Sequence, residues 1–277
     1  MTTPAPTNSS SAADAAAKAA RRAAPMFADQ PTLDRYLACL FDTDRAHAPV
    51  EVRCVATGDV PLLMRPGTTD ARVLDDTFIG LYHLPPAPLP DDAIILDLGA
   101  NVGYTAVHFA TLYPRARIVS VELDEGSADL ARRNTAPFAD RITVLHAAAW
   151  FEDSTVTYTS GDEWGLQVRE QWAGTPEQAR PAHATGARVI SVPALSVDTI
   201  MLRERLPHID FAKVDIEGAE HAVIRADAPW LAHTRSIQVE VHHPATVDGI
   251  LAQLAAAGMR VRKDTRHWSC AVGVRGA

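Results

Sequence analysis

The chain is 277 residues long, 47% apolar and 22% charged, with a formal net charge of −8. Those proportions are ordinary for a globular chain, and an acidic balance is the opposite of what a nucleic-acid surface needs, so no nucleic-acid partner is expected. Three cysteines, Cys39, Cys54 and Cys270, are too few and too scattered for a disulfide framework or a zinc site, and they imply a reducing, cytoplasmic setting.

Residues 1–11 are polar and rich in Ser and Pro, with no secretion-signal core after them. Residues 12–24 are mostly alanine without a sizeable apolar stripe, so 1–25 read as a disordered tail. No run of roughly 18 apolar residues occurs anywhere, which excludes a membrane-spanning helix.

An N-terminal region, 26–90, follows. Pro31 to Phe41 reads as a short amphipathic helix, with Leu33, Leu37, Leu40 and Phe41 on one face. Val50 to Thr57 and Val60 to Met64 read as a hairpin around Gly58-Asp59. The stretch Arg65-Pro66-Gly67-Thr68-Thr69-Asp70 breaks the pattern, and Asp75 to Tyr82 predicts a short helix. Pro85 to Pro90 is a proline-rich linker.

From Asp92 strands and helices alternate, the signature of an α/β domain over 91–277 with a mostly parallel sheet. Strands are predicted at 93–98, 117–122, 142–147, 154–159, 211–216 and 236–241. Helices are predicted at 103–113, 127–134, 218–226 and 247–257, with another beginning at Ser196. Segment 160–187 is polar and aperiodic, and it reads as a flap near a site. The strands predicted at 260–263 and 268–274 are too close in sequence to pair in parallel, so they form a C-terminal antiparallel hairpin.

Chemistry concentrates at strand ends. Asp97-Leu98-Gly99-Ala100-Asn101-Val102-Gly103 closes the first of these strands and opens a helix, where open sheets bind cofactors. The spacing is D-x-G-x-x-x-G rather than the dinucleotide G-x-G-x-x-G. Asp97 would repel a pyrophosphate and suits a cationic ligand. S-adenosylmethionine, with its ammonium and sulfonium, meets that description. Glu122 ends the next strand 19 residues after Gly103, the place of a ribose-binding acid. His146 and Ala147 close the third strand beside an expected adenine, with Trp150 as flank or core.

Lys213-Val214-Asp215-Ile216-Glu217-Gly218-Ala219-Glu220 crowds acids and a lysine at the same crevice, a mark of functional sites. Lys213 is read either as part of that site or as a structural partner of Asp215. Glu240-Val241-His242-His243 adds two imidazoles, of which His242 is a candidate base for a hydroxyl proton. His242 and His243 could ligate a metal with Asp215, but no metal-ligand spacing supports it, so none is expected.

These stretches resemble the FkbM-type family of S-adenosylmethionine-dependent methyltransferases over roughly residues 60–245. The resemblance rests on the 65–70 stretch, the Asp97–Gly103 turn with Glu122, and the 213–220 motif. It departs mildly where Thr69 stands for the family's usual Ser. It implies a Rossmann-like class I methyltransferase sheet under an N-terminal lid, and O-methylation of a small secondary metabolite or sugar. By position, Asp97, Gly99, Asn101 and Gly103 would hold the methionine end and Glu122 the ribose. Arg65, Asp70 and Tyr82 would form the lid, with Arg65 on the donor carboxylate. Catalysis would fall to His242, Asp215 and Lys213. A nicotinamide oxidoreductase is disfavoured by the turn spacing and the terminal hairpin. A non-catalytic adenosyl-binding protein is disfavoured by the intact acids and histidines.

Overall fold

A computed structural model describes residues 9–44, 47–58, 60–159 and 189–276. The chain divides into two units, Met1–Gly80 and Leu81–Ala277, so the division precedes the proline-rich stretch.

The first unit begins with helix α1 (Ser9–Ala23), where a disordered tail was expected. Alanine has the highest helix propensity of any residue, and Ala23 at the helix end is fully buried. Helix α2 (Gln30–Phe41) is capped by Asp29, whose side chain accepts from the Thr32 amide at 2.7 Å. Its inner face carries Leu33, Tyr36 and Cys39, and the Tyr36 hydroxyl donates to Asp75 at 2.6 Å. Strands β1 (Val50–Arg53) and β2 (Pro61–Met64) pair antiparallel, as the hairpin signal predicts. Helix α3 (Asp70–Asp75) starts ahead of the expected position, and its last turn widens into a π-turn over Asp76–Gly80. The reason is local. Fully buried Asp70, in the first helical turn, grips Arg65 through bonds of 3.0 Å from Nε and 2.8 Å from Nη2, and this fixes where the helix begins.

The second unit contains, in order, β3 (Ile94–Leu98), α4 (Tyr104–Leu112), β4 (Arg117–Glu122), α5 (Glu125–Thr135) and β5 (Ile142–His146). Next come β6 (Ala148–Trp150), β7 (Ser154–Thr159), β8 (Val189–Ser196), α6 (Val197–Arg203) and β9 (Ile209–Val214). The last elements are α7 (Glu220–Val223), α8 (Pro229–Ala232), β10 (Thr234–Glu240), α9 (Val247–Ala256), β11 (Arg260–Lys263) and β12 (Cys270–Val274). The main sheet runs β11-β12-β10-β9-β3-β4-β5. β3, β4, β5, β9 and β10 are parallel, while β12 inserts antiparallel to both β10 and β11. This is the mostly parallel sheet with a terminal antiparallel hairpin that the pattern predicts.

Strand β3 lies at the centre. Leu96 and Leu98 join the core on one face and Ile95 the core on the other, so the strand reads as a continuous apolar run. Its neighbours β4 and β9 diverge to opposite sides, and the crevice at their carboxyl ends is the switch point of the sheet.

A second sheet, β6-β8-β7, was only partly foreseen. β8 escapes the pattern because Pro193 interrupts it, although the buried side chains still alternate around that residue. Trp150 is buried there with Tyr158, Val192 and Ala219, as a core residue. The helix expected over 218–226 is a single turn, α7, because Glu217 and Gly218 enter it at φ +52° and +102°. The expected flap at 160–187 lies outside the described residues. All three cysteines are free and buried. Among the described residues no helix is long and apolar enough to cross a membrane.

Candidate active site

The turn after β3 is built by backbone approach. Gly99 and Ala100 both donate to the Val121 carbonyl, at 2.9 and 3.1 Å, while the Asp215 amide donates to Leu98 at 3.0 Å. Gly99 has φ +79°, and a Cβ there would stand 1.7 Å from the Asp215 carbonyl oxygen. Gly103, at φ +83°, faces the Ala131 backbone at 3.1 Å. Both positions need glycine, for conformation and for space. Asn101 also adopts a left-handed φ of +49°, and Asn134 ties the turn to α5 by donating 2.8 Å to the Val102 carbonyl.

Asp97 is fully buried beneath this turn. Its Oδ2 accepts from the Thr105 hydroxyl at 2.6 Å, and its Oδ1 lies 3.4 Å from the Lys213 ammonium without a hydrogen-bond partner. Lys213 also donates to the Gly99 carbonyl at 2.8 Å and stands 3.3 Å from Asp215. Burial works against its charge, but the carboxylates of Asp215, Asp97 and Glu240 more than offset this and raise its pKa. Lys213 is thus a fixed cation linking the two motifs.

Glu122 accepts from the Asn101 amide and from the Asp124 amide, each at 2.7 Å. It shapes the turn as well as ending its strand, and each oxygen keeps a lone pair for another donor. Burial raises its carboxyl from 4.5 to about 7. Between those values the folded chain holds a proton that the unfolded chain has released, so this group makes stability fall as pH rises. In urea unfolding between pH 4.5 and pH 7, wild type is expected to lose roughly 3 kcal/mol that Glu122→Gln does not lose. Parallel slopes for the two proteins would contradict this.

Beside Glu122, His146 is half-buried with Nε2 3.1 Å from the Leu123 carbonyl, and Ala147 is buried, its amide donating to the Glu122 carbonyl at 3.0 Å. Arg65 and Asp70 belong to the first unit, where the guanidinium expected to meet a donor carboxylate is engaged by Asp70. Tyr82 belongs to the second unit, its carbonyl accepting from Gln238 and its ring stacking 4.9 Å from His267.

The carboxyl ends of β9 and β10 form the other side. A small pocket is lined by Tyr82, His83, Lys213, Asp215, Gln238 and Glu240, among others. His242 donates from Nδ1 to the Glu220 carboxylate at 2.8 Å, and its Nε2 lies 3.8 Å from both Glu217 and Glu240. Burial opposes the charge of His242, yet the Glu220 hydrogen bond and the surrounding acids raise it to about 9. Burial and Asp215 push Glu240 up to about 8, and Glu217 upward in the same way. His243 is exposed, and a Cβ added to Gly218 would stand 2.9 Å from its carbonyl oxygen.

Of two further groups here, Glu240 is noted from sequence only as an acid at a strand end, and His83 is not singled out. Glu240 aligns one position beyond the paired β9–β10 register, beside the end of β9, so its place at a strand end was the available signal. His83 forms a buried pair with His108, 3.0 Å between ring nitrogens, and burial drives its pKa well below the ordinary value. Nothing in the proline-rich sequence around His83 marks it.

Known methyltransferases are similar to this chain in sequence. NoeI of Sinorhizobium fredii, a 2-O-methyltransferase, is 29% identical over 171 residues, 58% of this chain and 68% of NoeI. The methyltransferase sdnD of Sordaria araneosa is 26% identical over 208 residues, 66% of this chain and 80% of sdnD. The O-methyltransferase imqG of Aspergillus flavus is 48% identical over 56 residues, and the match spans only 23% of imqG. A crystal structure of methyltransferase FkbM from Methylobacillus flagellatus KT aligns with 95% of this chain and 58% of its own, at 15% identity and TM-score 0.47. The profile of the methyltransferase FkbM domain matches residues 97–261. Matched over more than half its length, from Asp97 into β11, the chain belongs to the FkbM methyltransferase family.

Proposed function

We propose that this chain is an S-adenosylmethionine-dependent O-methyltransferase acting on a hydroxyl of a small secondary metabolite or sugar. The observation that carries the reading is the buried Asp97 oxygen that has no hydrogen-bond partner, only the Lys213 ammonium 3.4 Å away, beneath a glycine turn where a Cβ would meet the Asp215 backbone. That cradle fits a cationic amino-acid moiety, and Glu122 at the next strand end has lone pairs for ribose hydroxyls. Asp97, Gly99, Asn101 and Gly103 would hold the methionine end, and His146 with Ala147 would border the adenine. When bound, the donor supplies an electrophilic methyl group on a sulfonium.

The chain's own contribution is positioning and proton transfer. Aligned reactants lower a barrier by about 7–11 kcal/mol. Lys213, buried between Asp97 and Asp215, locks the donor turn to the acceptor pocket. The Asp215–His242 cluster accepts the hydroxyl proton. Oxygen is favoured as the acceptor atom because NoeI and imqG are O-methyltransferases.

Calorimetric titration with S-adenosylmethionine tests this. Asp97→Asn keeps the shape and removes the charge, so binding is expected to weaken about 10- to 100-fold, the worth of one charged hydrogen bond. Equal affinity in the two proteins would remove the turn from the donor site. Transfer of a labelled methyl group to a hydroxylated sugar or polyketide would complete the assignment.

A further inference from the structure

We propose that Asp215, Glu217 and His242 form a site for one divalent cation, of the oxygen-preferring Mn²⁺ type, on the acceptor side of the pocket. The inference rests on the methyl-transfer reading for its role, but not for its geometry. One ligand atom from each of the three residues falls within 4.8 Å of the others. Ligands bound to one such ion stand about 3–4.5 Å from each other, given metal–ligand bonds of about 2.0–2.3 Å.

His242 is oriented for this role. Its Nδ1 is engaged at 2.8 Å by Glu220, a fully buried acid at the start of α7. The carboxylate behind the ring fixes its tautomer and its direction, as it does for many metal-bound histidines. Nε2 is then left facing Glu217 and Glu240, each 3.8 Å away, beyond hydrogen-bond reach. Such spacing leaves the acids unbonded to the ring while keeping them close enough to share an ion with it.

Charge balance points the same way. Asp215, Glu217, Glu220 and Glu240 gather around His242, and the nearby ammonium of Lys213 is already engaged by Asp97, Asp215 and the Gly99 carbonyl. Glu220 is fully buried and its Oε2 has no hydrogen-bond partner. A divalent cation would supply the missing positive charge. One imidazole with carboxylates is a donor set that Mn²⁺ accepts readily and that leaves positions open to other oxygens.

The consequence for methyl transfer is a division of labour. A cation held there would take His242 Nε2 and an acceptor hydroxyl oxygen, and it would lower the pKa of that hydroxyl. The O–H bond breaks toward the Asp215 oxygen that does not ligate the ion, so the proton stays within the Asp215–His242 cluster. The electron pair left on oxygen forms the new bond to the methyl carbon as the carbon–sulfur bond of the donor breaks.

Titration of the full chain with Mn²⁺, followed by the electron paramagnetic resonance signal of the free ion, tests the site. One bound ion per chain is expected. His242→Ala and Glu217→Gln should each weaken binding at least tenfold, and Glu220→Gln by about 10- to 100-fold through the ring it orients. Binding of S-adenosylhomocysteine, measured separately, should survive in all three variants, which shows that they are folded. No Mn²⁺ uptake up to about 1 mM, or uptake that none of the variants changes, would overturn the cation site while donor binding stands. Loss of donor binding in the wild type would instead overturn the methyl-transfer reading.

Discussion

Gly99→Ala is expected to prevent the second unit from folding stably, with a loss exceeding about 4 kcal/mol in urea unfolding. Two costs combine. At φ +79° a Cβ meets the carbonyl preceding it, worth about 1–2 kcal/mol. The same Cβ would also stand 1.7 Å from the Asp215 carbonyl oxygen, so β3 and β9 would have to separate. Neither atom belongs to a side chain that could rotate away, and the two strands are the middle of the sheet. A Gly99→Ala protein with wild-type unfolding would show that the two backbones do not approach as described. The contrasting position is Gly58, where nothing lies within 4 Å of a Cβ and the only cost is conformational.

Lys213→Met is expected to cost about 3–5 kcal/mol, because it leaves the buried charge of Asp97 without its cation. The methionine fills similar space, so packing alone accounts for little of that figure. Adding Asp97→Asn should recover part of the loss, since the second substitution removes the stranded charge. Urea unfolding of the two single variants and the double variant reads this coupling directly. Additive losses would mean that Lys213 and Asp97 do not depend on each other.

Much of this site was legible in the sequence because its residues sit at strand ends. An apolar run followed by Asp97 and two glycines four apart carries its own geometry. So does an acid at the end of the next strand. The pairing of Lys213 with Asp215 followed from alternate residues of a strand sharing a face. What the sequence did not disclose depends on contacts between distant segments. The role of Glu220 behind His242 arises from a four-residue helix entered through two left-handed residues, and no periodicity announces that. The link from Lys213 to Asp97 depends on β9 lying beside β3. Helix α1 was missed for a different reason, since its alanines signal helix through propensity rather than through an apolar stripe. Arg65 and Asp70, expected with Tyr82 as a lid over the donor, also bond to each other across five residues at the start of α3, a contact that no periodicity announces.

The insertion of β12 between β10 and β11 orders events during synthesis. Its Cys270 lies opposite Glu240, and the Ser269 carbonyl accepts from Val241 at 3.0 Å. The segment that presents Glu240 and His242 is therefore braced by residues made some thirty positions later. While α9 and β11 are being added, β4 and β9, both parallel neighbours of β3, are already in the chain. The strand that carries Glu240 has one edge open until Cys270–Val274 arrives. The two halves of the proposed methyl-transfer site are thus completed at different points of synthesis.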